Sequence, residues 1–266
     1  MPGIETLTFY DALLAAYREN PCQVLPNALW KTLAQMERLE TRHEMQGSRV
    51  AHLEAWGAQE LFLYWDRDRN GASIPTERLA SLSLALIHQD FLDPRAVEAA
   101  HFTSRTPYFR LMHTGPVQVR PPLPPTFALV QVDAGREVEA VARLIGECYG
   151  DPHFSAEWVQ GWTQQAAFDP TLWVWAVDTR QNKPVGLGIA ELDRAVGEGS
   201  LEWIQVLPAY RRQGLGQALV FELLARLAGR AAFTTVSGQA QNPTRPETLY
   251  RRCGFRGRDV WWVLRA

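Results

Sequence analysis

Phe9, Leu13 and Tyr17 recur at i, i+4 spacing and predict a helix over about Leu7–Arg18, which Asn20-Pro21 ends. Leu29, Leu33 and Met36 keep the same period, so a second helix is expected from near Pro26, running on to Glu44 or beyond. The pattern then changes. Arg49–Trp56 and Glu60–Trp65 read as two strands separated by Gly57, Thr76–Phe91 as a third helix and Pro107–His113 as a further strand. Arg120–Pro125 follows and contains PPLPP, a run that favours extended polyproline conformation and supplies few backbone donors. It marks the expected domain boundary: an N-terminal α/β domain at 1–120, a linker at 121–125 and a second domain at 126–266.

In the second half Phe127–Val132 reads as a strand, and Arg136–Cys148 and Ala156–Ala167 as helices. Leu172–Val177 and Val185–Leu192 form a strand pair across the turn DTRQNKP, which suits an antiparallel connection. Ser200–Val206 has the apolar, β-branched character of a buried strand. From Gly214 a helix follows whose apolar face is Leu215, Leu219, Leu223 and Leu227. A strand at Ala232–Ser237, a short helix at Pro246–Cys253 and a last strand at Asp259–Leu264 complete the order. Antiparallel strands leading into a parallel crossover define a mixed α/β (α+β) class.

Composition narrows the partners. The chain has 266 residues and is 46% hydrophobic, enough for two domains of ordinary size. A formal net charge of −2 argues against a nucleic-acid partner held by bulk electrostatics. The ten tryptophans are spread from Trp30 to Trp262 and read as core. Cys22, Cys148 and Cys253 are far apart and form no C-x-x-C pair, which fits a reducing compartment, so a cytoplasmic protein is expected. The opening MPGIETLTFYDALLAAYREN lacks the pattern of a signal peptide, and no stretch reaches membrane-spanning length. No membrane partner is expected, and the oligomeric state is open.

Candidate chemistry gathers where Ser200–Val206 meets the Leu215 helix. Gly214 and Gly216 stand at a helix start, where backbone N–H groups have no intrahelical partner and the helix dipole is positive. This is a candidate anion cradle. A lysine-bearing phosphate loop would need Gly-Lys-Ser/Thr, and Gln217-Ala218 follows instead. A dinucleotide fingerprint would need Gly or Ala at position 219, which is Leu219, and belongs near the start of its domain.

The string Val206-x-Pro208-x-x-Arg211-x-x-Gly214-x-Gly216 resembles the acyl-CoA pyrophosphate loop of the GNAT superfamily of N-acetyltransferases. LYRRCGF at Leu249–Phe255 is similar to that family's later Leu-Tyr-x-x-x-Gly-Phe signature, and the element order from Phe127 to Leu264 matches its fold, a mixed sheet with flanking helices. The resemblance implies an acetyltransferase using acetyl-CoA as cosubstrate and an amine of a small molecule or protein as acceptor. Amides of Gln213, Gly214, Leu215, Gly216 and Gln217 would donate to the pyrophosphate, and Arg211 and Arg212 would add charge. The bland alternative is a tight turn with two solvated arginines. The resemblance further implies that Ile204, Gln205 and Val206 offer backbone to the pantetheine arm.

Acyl transfer to an alkyl amine requires a base, because the amine is mostly protonated at neutral pH, and an acid can protonate the departing sulfur. Glu202, an acid inside an otherwise apolar strand and placed where some relatives carry a catalytic glutamate, is the base candidate. A carboxylate that pairs with an arginine, or that only contacts the substrate amine, is the other reading. Tyr250 matches the signature tyrosine, whose hydroxyl the resemblance aims at the thioester sulfur; alternatively it packs against Leu249 and Phe255. Where the family often carries asparagine, position 243 is proline, so Asn242 is the substitute candidate for cofactor contact. Cys253 reads as a packed small residue, and His153 as a solvated loop residue or part of the acceptor pocket. The first half has no Arg-x-x-Gly-x-Gly of its own. Its strand–strand–helix–strand order over Arg49–His113 is compatible with a shortened, degenerate copy of the same fold.

One rival signal lies in the first half. Asp66-Arg-Asp68-Arg-Asn70-Gly71 with Glu77 twelfth satisfies a calcium-loop string. Ser73 and Pro75 intrude on it and ELFLYW before it reads as a strand, so a polar turn is favoured and no metal is expected. Two classes stay open: an N-acyltransferase, and a non-catalytic acyl-CoA-binding or interaction protein on the same scaffold. Retention of both Glu202 and Tyr250 favours the first.

Overall fold

A capping box starts the fold. The Thr8 hydroxyl accepts from the Asp11 amide at 3.2 Å and the Asp11 carboxylate accepts from the Thr8 amide at 3.2 Å, so two of the donors orphaned at a helix start are satisfied reciprocally. The helix α1 (Phe9–Glu19) buries Ala12, Leu13, Ala16 and Tyr17. Asn20 ends it and caps the short α2 (Pro21–Val24), accepting from the Gln23 amide. The computed structural model describes residues 7–68, 74–117, 121–151 and 153–266. It divides into two units: Met1–Leu111 with Ser237–Thr244 and Gly257–Ala266, and Met112–Val236 with Arg245–Arg256.

In the first unit α3 (Leu29–Met36) stops at Met36, and the helix expected toward Glu44 is replaced by strand β1 (Glu40–Gln46). Six of its seven residues, ETRHEMQ, are exposed, so no buried face writes a period-2 pattern into the sequence. Its strand state comes from antiparallel pairing with β2 (Arg49–Trp56), from Glu40 opposite Trp56 to Gln46 opposite Arg49. β2 pairs in turn with β3 (Glu60–Asp66), also antiparallel.

A second difference follows. The helix expected over Thr76–Phe91 is only the single turn α4 (Thr76–Leu79), and Leu84–His88 is strand β4, parallel to β3 with Leu61 opposite Ala85. Leu79, Leu82 and Leu86 happen to fall at helical spacing, and the short apolar run does not by itself distinguish the two states. α5 (Pro94–Ala99), capped by Asp93, and β5 (Ser104–His113) follow.

The second unit opens with β6 (Phe127–Gln131), α6 (Val138–Tyr149) and α7 (Ala156–Trp162). β7 (Trp173–Asp178) and β8 (Lys183–Asp193) turn on Asp178, whose buried carboxylate accepts from the Arg180 amide at 3.0 Å. β9 (Glu198–Val206), α8 (Leu215–Leu227) and β10 (Phe233–Gln239) form the crossover, and α9 (Pro246–Arg252) follows. The sheet runs β10-β9-β8-β7-β6, parallel between β10 and β9 and antiparallel elsewhere. Leu215, Leu219, Leu223 and Leu227 are all buried on the face α8 turns to β8 and β9, which places the N-terminus of α8 at the end of β9. At the other end of the unit Asp169 gathers Arg194, Arg230 and the Thr171 hydroxyl.

The last strand, β11 (Arg256–Arg265), runs antiparallel to β4 with Trp261 opposite His88 and Arg265 opposite Leu84. From Gly257 on it belongs to the first unit, although the sequence pattern placed it with residues 126–266. The indole of Trp261 is fully buried and donates to the Cys22 carbonyl at 2.8 Å. In the first unit the sheet order is β1-β2-β3-β4-β11-β5, so β11 is an interior strand of it. Each unit is thus a mixed sheet with flanking helices.

Of the calcium-like string, residues 69–73 lie outside the described residues, as does Arg120 of the proline-rich segment. Asp66 ends a strand and accepts from the Asp68 amide at 3.1 Å, the turn geometry of an Asx residue.

Candidate active site

β9 is paired with β10 only as far as Leu201, opposite Val236. β8 continues alongside it to Val206, opposite Gly186. The register against β8 slips once: Ile189 faces Trp203 while Ala190 faces Leu201, which leaves Glu202 as the extra residue of a β-bulge. Bulges bend a strand and re-aim a side chain, and this one coincides with the point where β10 is left behind. Glu202 is half-buried there. It is not the only acid in the strands: Glu198 is buried and accepts from the Thr235 hydroxyl, and Glu191 accepts from the Trp173 indole at 3.3 Å. Those two are tied into the interior, whereas Glu202 stands at the irregularity.

Beyond Val206 a single turn at Pro208–Tyr210 leads to Arg211, which donates through Nε to the Val206 carbonyl at 3.0 Å. Arg211 therefore braces the loop against the strand that precedes it. Arg212 is exposed in the left-handed region at φ 65°. Gly214 is the N-cap of α8 at φ 83°, a conformation that costs most side chains dearly. No side chain caps this helix, and its first internal bond is from Ala218 to the Gly214 carbonyl at 3.0 Å. A Cβ on Gly214 would find nothing within 4 Å. Open space, uncapped amides and a positive dipole end make a cradle that fits an anionic group. Arg211, Arg212, Gln213, Gly214, Leu215, Gly216 and Gln217 are thus brought to one turn, and Ile204, Gln205 and Val206 to the strand edge leading into it.

Tyr250 lies on α9, 7% exposed, with its ring edge-on to Phe255 at 5.8 Å. Burial, then the neighbouring Tyr149, Cys253 and Glu202, push its hydroxyl well above the usual phenol range. The same neighbours show that Glu202, Tyr149 and Tyr250 share one locality. Cys253 is fully buried and its thiol is pushed up to about 12 by burial, which keeps it protonated and unreactive. His153 is exposed, its amide donating to Asp151 at 2.9 Å. Asn242 belongs to the first unit and accepts from the Thr244 amide at 2.9 Å and hydroxyl at 2.7 Å, an Asx turn.

Sequence reasoning missed the aromatic residues that border this locality. Tyr149 packs edge-on against Trp203 at 6.0 Å and accepts from Gln205 Nε2 at 3.0 Å. Trp203 stacks on Trp162 at 5.2 Å, and Phe154 contacts Trp158, Trp162 and Trp203 within 6.0 Å. Tyr149 and Trp158 are each 61% exposed, so the expectation that the tryptophans are core fails at Trp158. These rings come from α6, the segment after it, α7 and β9, a convergence no local pattern encodes.

Among the described residues no group of His, Cys, Asp and Glu is arranged to hold a metal ion, and no helix is long and apolar enough to cross a membrane. A family model described as an acetyltransferase (GNAT) domain matches residues 169–257. No curated protein matches the sequence. Among solved structures, a GCN5-related N-acetyltransferase from Sphaerobacter thermophilus shares 20% identity over 97% of this chain and 93% of its own, with a TM-score of 0.68. A GNAT-family acetyltransferase from Colwellia psychrerythraea shares 12% identity over 98% of this chain and 97% of its own, with a TM-score of 0.63. A tandem GNAT protein from the clavulanic acid biosynthesis pathway shares 14% identity over all of this chain and 95% of its own, with a TM-score of 0.60. At such identities the likeness speaks for the fold, and it extends across both units. The stretch that carries β8, β9, the glycine loop, α8 and Tyr250 is the one that the acetyltransferase (GNAT) family model matches.

Proposed function

We propose that the protein is an N-acetyltransferase that moves the acetyl group of acetyl-CoA to a primary amine of a small molecule or protein by direct attack. The observation that carries this reading is the placement of Glu202 on the bulge of β9, in the same locality as Tyr250 and on the strand that runs into the uncapped start of α8.

Acetyl-CoA, when bound, supplies an activated acyl carbon and a thiol leaving group. The amides of Gln213–Gln217, with Arg211 and Arg212, are the groups assigned to its pyrophosphate, since helix-start amides and guanidinium groups both favour phosphate oxygens. The backbone of Ile204, Gln205 and Val206, beyond the end of the β10 pairing, is assigned to the pantetheine arm. Glu202 takes a proton from the acceptor's ammonium group, freeing the nitrogen lone pair. The Tyr250 hydroxyl, held protonated by its surroundings, provides a proton for the departing sulfur. Three free cysteines suit a reducing compartment, so the cytoplasm is the location we propose.

The test combines calorimetry with acetyl-CoA and a thiol-release assay over a panel of amines. Binding heat with amine-dependent release is expected. Glu202→Gln should then lower kcat by about 10²-fold or more while leaving acetyl-CoA affinity unchanged. Absence of both heat and thiol release would overturn the reading, and heat without release would return the chain to a non-catalytic binding role.

A further inference from the structure

We infer that the rings of Tyr149, Trp158, Trp162 and Trp203 form the acceptor subsite, and that the acceptor is a primary amine carried on an aromatic body without a carboxylate. The inference rests on the acetyltransferase reading above.

Three observations support it. First, Tyr149 and Trp158 stand 61% exposed within a cluster whose other members are half-buried. Large rings left open on an otherwise packed face mark contact surfaces, because their burial is worth most to a partner of matching shape. Second, the cluster is tied to the reacting locality. Trp203 directly follows Glu202 at the bulge, Gln205 donates to the Tyr149 hydroxyl at 3.0 Å, and Tyr149 is among the groups that raise the Tyr250 hydroxyl. We place the carbon skeleton of an ammonium group held at Glu202 along Trp203 and Tyr149, which pack on each other at 6.0 Å beside the bulge. Third, acidic groups outnumber basic ones in a cleft that shares Phe154 with the rings. This cleft of about 600 Å³ between α6 and the start of α7 is lined by Glu139, Glu147 and Asp151 against Arg143, and it ends on Phe154, which also touches Trp158, Trp162 and Trp203. That balance attracts a cationic amine and disfavours a carboxylate on the same molecule.

The rings already pack on one another in favourable aromatic geometries, and Tyr149 and Trp158 leave ring surface open at the edge of the cluster. Trp162 and Trp203 lie nearly parallel at 20°, while Tyr149 and Phe154 meet Trp203 edge-on at 89° and 78°. Edge-to-face and offset-stacked contacts are the favourable geometries for aromatic pairs, and a flexible aliphatic chain gains neither.

The experiment measures kcat/KM with acetyl-CoA for phenethylamine, tryptamine, phenylalanine, spermidine and a lysine peptide, on the intact protein and on Tyr149→Ala, Trp158→Ala and Trp203→Ala. We expect the two arylalkylamines to be the best substrates. Tyr149→Ala and Trp203→Ala should each lower kcat/KM for them about tenfold, mostly through KM, the scale of one lost aromatic pair. The same variants should lower kcat/KM for spermidine by a clearly smaller factor than for the arylalkylamines, since an aliphatic chain loses no ring pair. Tyr149 and Trp158 are exposed enough for truncation to leave folding intact, so the test does not depend on Trp203→Ala alone. Best turnover with spermidine, phenylalanine or the peptide would overturn the inference and leave the acetyltransferase reading standing. So would equal losses on every amine. Absence of thiol release with every amine would overturn both.

Discussion

Gly216 and Leu249 stand so close that a Cβ on the glycine would lie 3.3 Å from Leu249 Cδ2. The start of α8 and the first turns of α9 are therefore packed against each other at the glycine loop, and the two signatures of the sequence meet in space. Gly214, two residues earlier, has open space around it and a left-handed backbone at φ 83°. The two glycines answer to different constraints.

Their substitutions separate accordingly. Gly214→Ala should cost about 1–2 kcal/mol of stability through backbone strain, with no steric clash, as read from urea unfolding. Gly216→Val should push α9 away from α8 and weaken acetyl-CoA binding more than it weakens folding. If Gly216→Val binds acetyl-CoA as the intact protein does, the packing between α8 and α9 has no part in shaping the cradle.

Tyr250 should work as an acid over an unusually wide pH range. Burial is the main cause of its raised pKa, with Tyr149, Cys253 and Glu202 adding to it. An acid must hold its proton, so raising the pKa extends the active range upward from the ordinary phenol value near 10. A profile of kcat against pH should show no falling limb from this group below about pH 10, and Tyr250→Phe should lower kcat by about 10²-fold with acetyl-CoA affinity retained. A falling limb near pH 8 that disappears in Tyr250→Phe would contradict this account.

Much of this site is legible along the chain because its parts are local. The strand, the glycines and the leucine face of α8 lie within 200–230, and each writes its own period or turn chemistry. The bulge at Glu202 is not legible, since one extra residue in a strand changes no composition and shows only against the register of β8. Nor is the ring cluster, which assembles residues from Tyr149 to Trp203 through tertiary packing. In the first half β1 is polar on both faces, and Leu86 of the short β4 continues the helical spacing of Leu79 and Leu82 before it; the states of both strands are set by their neighbours.

Asp169 should make stability acid-sensitive. Burial opposes its charge, but bonds from the Thr171 hydroxyl and amide and from Arg230 outweigh burial and hold the carboxyl below its usual range. With a folded pKa depressed below the unfolded value, its contribution is present above about pH 4 and is lost as pH falls through the folded pKa. Asp169→Asn should therefore destabilise at pH 7 by about 1–3 kcal/mol, the scale of a disrupted buried polar network, and the difference from the intact protein should shrink below pH 4. Urea unfolding of both proteins across that range is the check, and a difference that stays constant down to pH 3 would contradict the linkage.

Trp261 should anchor the first unit although it lies near the end of the chain. It occupies an interior strand opposite His88, is fully buried, and its indole donates to the Cys22 carbonyl in α2. Two contributions can be separated. Trp261→Ala removes the ring and leaves a cavity, a loss of about 3–5 kcal/mol for a large buried aromatic. Trp261→Phe keeps most of the volume and removes the N–H, so it should cost about 0.5–1.5 kcal/mol for the lost indole hydrogen bond. Hydrogen exchange should show the loss concentrated in β4 and in α2, since those are the elements Trp261 joins. If Trp261→Ala unfolds at the same urea concentration as the intact protein, β11 is not a structural strand of the first unit, and its pairing with β4 is dispensable to that unit's core.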